Sequence, residues 1–275
     1  MPTGHRRSVL PQFVAIALLT GWSVSRQAEN GRRAVVCWCM APAAPVLVIT
    51  GASSGIGAAT ARLAADRGWR LVLAARSGRA LDGLAAELGG AASARAARCD
   101  VSDWDQVTAL PALALEAFGR LDAVFANAGA FTPSSFLHGT GTPAQWREMV
   151  LTNVYGTALT ARAALPHLAL TRGHLILTGS VSGRVTVPGQ LYSATKWAVT
   201  AIAQSIRAEA TGTGVRVTLI QPGLTDAGTT SPDRTREPRL APDDVARAVV
   251  FALEQPASVD VSEIVIRPTG QRPDR

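Results

Sequence analysis

Tyr192 and Lys196 stand four residues apart in a stretch, Leu191 to Ala210, that reads as a helix, so their side chains project from one face. A phenol with an ordinary pKa of about 10 carries protons poorly at neutral pH. An ammonium beside it favours the phenolate and draws that pKa towards the working range, which suits the pair to proton transfer. Ser180, just past a run of apolar and β-branched residues, can hydrogen-bond a carbonyl or hydroxyl oxygen and stabilise the charge that develops there. Taken singly, a tyrosine on a helix is most often a packing residue and a serine after a strand a turn residue. Composition weighs the other way: of the 27 lysines and arginines, Lys196 is the single lysine. Arginine is a planar fork that effectively never deprotonates, so it cannot replace a compact ammonium in a proton relay. The chain has two tyrosines, Tyr155 and Tyr192, and only Tyr192 is followed by a lysine four residues on.

A second cluster is the run Thr50-Gly51-Ala52-Ser53-Ser54-Gly55-Ile56-Gly57. It lies between an apolar run and an amphipathic one, where glycines let backbone N–H groups close on a phosphate and a helix N-terminus adds partial positive charge. The spacing is TGxxxGxG; GxGxxG, the commoner dinucleotide fingerprint, is not what stands here.

From residue 45 onward, short apolar runs alternate with longer amphipathic ones, the pattern of repeated βαβ units. Strands are expected at Val46–Ile49, Arg70–Ala74, Ala96–Cys99, Leu121–Ala126, His174–Thr178, Val215–Ile220 and Glu263–Ile266. Helices are expected at Ala58–Arg67, Arg79–Leu88, Asp103–Phe118, Leu191–Ala210 and Pro242–Leu253, with a long helical stretch from Trp146 to Leu168 broken at Gly156 and Pro166. The fold class is α/β: one doubly wound, Rossmann-like domain, a seven-stranded parallel sheet with helices on both faces. Thr225 to Leu240 is the one long irregular loop of the body.

Five motifs then arrive in order: TGASSGIG, Asp100-Val101, Asn127-Ala128-Gly129, Tyr192-x-x-x-Lys196 with Asn153 and Ser180 before it, and Pro222-Gly223. The set resembles the short-chain dehydrogenase/reductase family from about Val46 to Ile266, and the C-terminal run Val261-Ser262-Glu263-Ile264-Val265-Ile266-Arg267-Pro268 resembles its branch of NADP-dependent 3-hydroxy acid and serine dehydrogenases and 3-oxoacyl reductases. The resemblance implies an oxidoreductase that moves a hydride between a nicotinamide and the carbonyl or alcohol carbon of a small molecule, with Asn153, Ser180, Tyr192 and Lys196 catalytic. It also implies cofactor contacts from Gly51, Ser53, Ser54, Gly55, Ile56, Gly57, Asp100, Val101, Asn127, Gly129, Tyr192, Lys196, Pro222, Gly223 and Thr225. In the family the Asp-Val pair touches adenine, the lysine holds the nicotinamide ribose, and the asparagine anchors a water. A homodimer or homotetramer is the implied assembly.

The residue after the second strand bears on cofactor choice, because an acid there binds a ribose 2′-hydroxyl and an arginine suits a 2′-phosphate. The run is Leu73-Ala74-Ala75-Arg76, so NADP(H) is expected over NAD(H), although the glycine loop offers Ser53 and Ser54 where many NADP-binding relatives carry a second basic residue. Two further departures stand out. The spacing from Ser180 to Tyr192 is a residue shorter than in many relatives, which suggests a tighter loop over the substrate. Ala227 falls where relatives often carry a threonine, with Thr225 and Thr229 nearby. Arg184 or an arginine in 234–239 could hold a substrate carboxylate, with surface solvation the blander role.

A net charge of +7 and a pI near 10.5 raise nucleic acid as a partner, but the arginines are interspersed with acids and form no basic stripe, so none is expected. Cys37, Cys39 and Cys99 form neither an even framework nor a CxxC pair, so no disulfide scaffold or metal site is indicated, and a cytoplasmic location fits. Arg6-Arg7 before the apolar run Phe13–Leu19 superficially resembles a signal peptide, yet the run falls short of the ~20 apolar residues a span needs. Met40-Ala-Pro leads straight into the first strand of the sheet. Residues 1–40 are therefore read as a disordered or mis-assigned extension, 41–270 as the domain and 271–275 as a tail. A catalytically silent NADP(H)-binding regulator is the competing reading; loss of Ser180, Tyr192 or Lys196 would mark it, and all three are present. An epimerase or dehydratase would need a larger C-terminal portion than follows Pro222.

Overall fold

Alternation along the strands sets the layering. In a pleated strand successive side chains point to opposite faces. Val46 and Val48 accordingly join one buried cluster and Leu47 and Ile49 the other. A strand apolar on both sides needs cover on each face, which a parallel sheet with crossover helices supplies.

The computed structural model describes residues 22–27, 35–40, 43–226 and 237–272. The chain divides into two units, Met1–Ala44 and Pro45–Arg275. In the first, β1 (Trp22–Gln27) pairs antiparallel with β2 (Val35–Met40). Both segments are rich in valine and tryptophan, types that favour strands.

The second unit runs β3 (Val46–Thr50), α1 (Gly55–Asp66), β4 (Arg70–Ala75), α2 (Gly78–Glu87), β5 (Ala94–Arg98), α3 (Trp104–Phe118) and β6 (Ala123–Ala126). It continues with α4 (Pro143–Val150), α5 (Thr157–Thr171), β7 (His174–Thr178), α6 (Leu191–Glu209), β8 (Arg216–Pro222), α7 (Pro242–Leu253) and β9 (Glu263–Ile266). The sheet order is β5-β4-β3-β6-β7-β8-β9, parallel throughout. Helices α3, α5 and α6 pack on one face through residues such as Leu110, Leu168 and Val199. Helices α1, α2 and α7 pack on the other through Ala61, Leu84 and Val249. The order reverses between β3 and β6, and in such sheets the crevice at the carboxyl ends of the strands at this switch is where ligands bind.

All seven expected strands of the sheet are present, with bounds shifted by up to two residues. Three helical details differ. Helix α1 starts at Gly55, not Ala58, because Ser54 takes the extended N-cap conformation and the glycines enter the first turn. The long stretch after Trp146 is interrupted by a π-helical turn, Leu151–Gly156. Pro166 does not interrupt it, since α5 continues past it to Thr171.

Candidate active site

The glycine-rich turn is held against the end of β6 by contacts too close for a side chain. Gly51 has φ +67°, and a Cβ there would stand 2.9 Å from the Ala128 Cα. A Cβ on Gly57 would lie 2.3 Å from the Gly51 carbonyl oxygen. Thr50 locks the same junction: its Oγ1 accepts from the N–H groups of Asn127 (3.0 Å) and Ala128 (3.1 Å). Asn127 returns the tie, its Nδ2 donating to the Thr50 carbonyl (3.1 Å) while its Oδ1 accepts from the Thr178 hydroxyl (3.1 Å). One asparagine thus fastens the carboxyl ends of β3, β6 and β7.

Around this junction the four expected catalytic residues converge. Ser180 follows β7; its Oγ accepts from the Ser182 N–H (3.1 Å) and donates to the Pro222 carbonyl (3.5 Å), and its hydroxyl lies close enough to the Tyr192 phenol to draw it down. Tyr192 and Lys196 occupy the first turns of α6, as their spacing requires, with the Lys196 Nζ 5.6 Å from the tyrosine ring centre. Lys196 Nζ donates to the Thr178 carbonyl (2.8 Å). Asn153 is fully buried in the π turn. Its Oδ1 accepts from the Ala130 N–H (2.7 Å), and its Nδ2 donates to the Ala130 carbonyl (2.9 Å) and to the Thr195 hydroxyl (3.0 Å). A π turn inserts an extra residue into a helix and is frequent at functional sites. Gly129 borders both groups: a methyl there would sit 3.5 Å from Asn153 Oδ1 and 3.8 Å from Lys196 Nζ.

Burial dominates the electrostatics of this cluster. The Tyr192 phenol is pushed up to about 12 by desolvation, with the Ser180 hydroxyl pulling the other way. This corrects the expectation that Lys196 brings the phenol down: taking a would-be anion out of water dominates, with the Lys196 Nζ over the ring. Lys196 itself is brought down to about 8, again by burial. At neutral pH the tyrosine is therefore a protonated donor and the lysine still mostly charged.

The remaining expected contacts lie along the crevice. Ser53 is partly buried and Ser54 exposed at the start of α1. Asp100 and Val101 follow β5, with Asp100 Oδ1 held by the Ser102 N–H (2.9 Å) and hydroxyl (2.7 Å). Pro222 and Gly223 end β8, and the Gly223 N–H donates to the Ile266 carbonyl (2.7 Å). The Thr225 hydroxyl donates to the Gly223 carbonyl (3.0 Å), so it is turned to its own backbone. Ala227, Thr229, Arg234 and Arg236 lie outside the described residues. Arg76 is exposed after β4 and pairs with Glu148. Arg184 does not offer an open guanidinium for a substrate carboxylate; it is ion-paired with Glu263, which also accepts from Gln221 Nε2 (3.1 Å).

Several supporting residues escaped the sequence. Phe131 packs edge-on against the Tyr192 ring, centroids 5.2 Å apart. Ser134 bridges two loops, donating to the Gly189 carbonyl (3.1 Å) and accepting from the Leu191 N–H (2.8 Å). Gln271, placed in the tail, accepts from the Leu224 N–H (3.1 Å) and so braces the Pro222-Gly223 segment. The stretch 130–135 after Asn127-Ala128-Gly129 was the available signal for the first two; nothing local marks Gln271.

A glycine turn at the switch point of a doubly wound sheet defines the nucleotide-binding α/β class. Within that class, the family described as short chain dehydrogenase matches residues 45–238, and the chain belongs to it, a family of oxidoreductases. An uncharacterized oxidoreductase of Staphylococcus aureus (strain USA300) is 41% identical over 226 residues, covering 81% of this chain and 96% of the relative. Among solved structures, an alcohol dehydrogenase from the archaeon Thermococcus sibiricus complexed with 5-hydroxy-NADP matches at TM-score 0.76 and 33% identity, over 84% of this chain and 99% of that one. Serine dehydrogenase from Escherichia coli matches at TM-score 0.72 and 29% identity, over 82% and 99%.

Proposed function

We propose that this protein transfers a hydride between NADP(H) and the carbonyl or alcohol carbon of a small substrate, with Tyr192 as general acid in reduction and general base in oxidation. The observation that carries the reading is the buried set in which Tyr192 stands beside Ser180 with the Lys196 Nζ over its ring. The start of α1 suits a dinucleotide pyrophosphate. Ser54 makes no side-chain cap and the first turn holds no acid, so the N-terminal N–H groups and the dipole face the crevice without an internal anion. Gly51 to Gly57 would hold the phosphates, Asp100 and Val101 the adenine, and Lys196, Pro222 and Gly223 the nicotinamide ribose and ring. When bound, that cofactor supplies or accepts the hydride.

The protein's residues do the rest. Ser180 donates to the substrate oxygen where negative charge grows, and the phenol of Tyr192 delivers its proton to that oxygen. Lys196, an ammonium in a dry site, stabilises the phenolate left behind. Asn153 positions the π turn against the loop after β6. The alcohol dehydrogenase neighbour, complexed with an NADP derivative, and Arg76 after β4 support NADP(H) over NAD(H). The serine dehydrogenase likeness supports a hydroxy acid or short alcohol as substrate. Exposed Trp197 on α6 and Tyr155 in the π turn support a homodimer or homotetramer. No helix of the described residues is long and apolar enough to cross a membrane, and the buried free thiol of Cys99 is in keeping with a reducing cytoplasm. Oxidation of NADPH against a panel of aldehydes, ketones and oxo acids, run beside Tyr192→Phe, tests the reading. Turnover that the variant retains in full would overturn it, and binding of NADPH without turnover on any carbonyl would favour a silent regulator.

A further inference from the structure

The acid missing from the loop after β4 arrives from another element. Arg76 is the first residue past β4, and its Nη1 lies 2.7 Å from Oε1 of Glu148, in the last turn of α4 and 72 residues further along the chain. The two side chains are 62% and 53% exposed, so a ligand reaching the rim meets both. The hydrogen bonds from Ser102 hold the Asp100 carboxyl below its ordinary value, and the charge of Arg76 adds a smaller pull in the same direction. One guanidinium is thus paired with Glu148 and within electrostatic reach of Asp100 at the place where the adenosine ribose is expected. Arg79, in the first turn of α2, is the other cation of this segment.

The chemistry of the two ribose forms differs at a single position. A 2′-phosphate is a near-dianion that seeks a guanidinium and is repelled by a carboxylate; a free 2′-hydroxyl is a donor that seeks a carboxylate. We propose that Glu148 is a specificity-determining residue for the adenosine ribose: beside Arg76 it accepts from a free 2′-hydroxyl and opposes a 2′-phosphate, so the site keeps only a restrained preference for NADP(H). This rests on the NADP(H) reading above and adds to it the group that limits the preference. Both cofactors are then usable, and the balance is set by a pair spanning two elements and not by Arg76 alone.

Adenosine 2′,5′-bisphosphate and adenosine 5′-monophosphate differ only in that phosphate, so calorimetric Kd values for the two probes isolate the site without any turnover. Glu148→Gln, an isosteric change on an exposed side chain, should tighten the bisphosphate about three- to fivefold, the scale of an exposed charge pair, and leave or weaken the monophosphate. Arg76→Gln should abolish the advantage of the bisphosphate. The same two variants should move the Kd ratio of NADPH to NADH, followed by nicotinamide fluorescence, in the same directions. A wild-type ratio in Glu148→Gln overturns the proposal. If Arg76→Gln meanwhile loses the bisphosphate, the NADP(H) reading survives and only the role of Glu148 falls; if Arg76→Gln keeps the advantage, both fall together.

Discussion

The two ends of the crevice are built on opposite plans. At the Ser180–Tyr192–Lys196 end, Asn153, Ser180 and Lys196 are buried, and their polar atoms bond the backbone or, from Asn153, the Thr195 hydroxyl. At the Arg76–Glu148 end both charges are more than half exposed and meet through a single hydrogen bond. Charge interactions gain strength as water is excluded and are screened where it is not. The buried end is thus placed to act on the reacting atoms, where small displacements cost orders of magnitude, and the exposed end to adjust affinity by small factors. Substitutions graded from one end to the other should show that gradient.

The steepest effect belongs to the proposed proton carrier. Tyr192→Phe keeps the ring against Phe131 and removes only the phenol hydroxyl beside Ser180. Carbonyl reduction should fall about a thousandfold in kcat, the range of general acid catalysis, with the melting temperature nearly unchanged. A variant retaining a tenth of the activity would mean that the buried end does not do the chemistry.

Next is Lys196→Arg, with an expected loss of about a hundredfold, since a fork cannot occupy the space of an ammonium donating to the Thr178 carbonyl. The pH profile carries the sharper test. Burial brings the Lys196 ammonium down to about 8, so the charge is present below that pH and lost above it. Reduction by the wild type should decline as pH rises through about 8, and the arginine variant, however slow, should lack that decline. A wild-type profile flat to pH 10 would remove Lys196 from the relay.

How much of this the amino-acid order disclosed follows the same division. The strands, the glycine turn and the Tyr192–Lys196 spacing were legible because each rests on local periodicity: alternation in a strand, or four residues on a helix face. The direction of the Tyr192 shift was not, because it depends on burial by distant segments, and spacing says nothing of solvent. The π turn was read as a break at Gly156 and Pro166, since an inserted residue leaves no mark of its own in the hydrophobic pattern. Phe131, Ser134 and Gln271 act through contacts 57 to 61 residues away or between separate loops, or brace Leu224 from 47 residues on, which no short window contains. Glu148 is of the same kind, its partner lying 72 residues away in sequence.

A buried titrating group outside the site separates burial from catalysis. His174 begins β7, at the opposite end of the strand from Ser180, and is 1% exposed. Thr218 Oγ1 donates to the Val261 carbonyl (2.6 Å), so it accepts from the His174 Nε2–H (2.8 Å), which leaves Nδ1 as the unprotonated nitrogen. Desolvation and Arg216 bring the imidazole down to about 3, from an ordinary value near 6.5. The folded state then binds fewer protons than the unfolded one between those values, so stability present above about 6.5 is lost as pH falls. Between pH 7 and pH 5 the loss should be about 2 kcal/mol, read as urea midpoints and absent in His174→Gln. Equal pH dependence in the two proteins would show that burial here carries no such cost. Activity per folded molecule should not respond at all.

The smallest effect is expected at the rim, and its form matters more than its size. Arg76 follows β4 and is not part of the buried Ser180–Tyr192–Lys196 set, so whatever it holds should be held alike in the ground and transition states. Uniform binding of that kind appears in KM and not in kcat. Arg76→Gln should raise the KM for NADPH about tenfold or less, leave kcat within twofold, and leave the KM for NADH nearly where it was. The difference between wild type and variant should also shrink as salt is raised towards ~1 M, where the Debye length falls to about 3 Å, whereas the Tyr192→Phe defect should not. A drop in kcat for Arg76→Gln would show that the exposed end reaches the chemistry, and the division between the two ends would have to be redrawn.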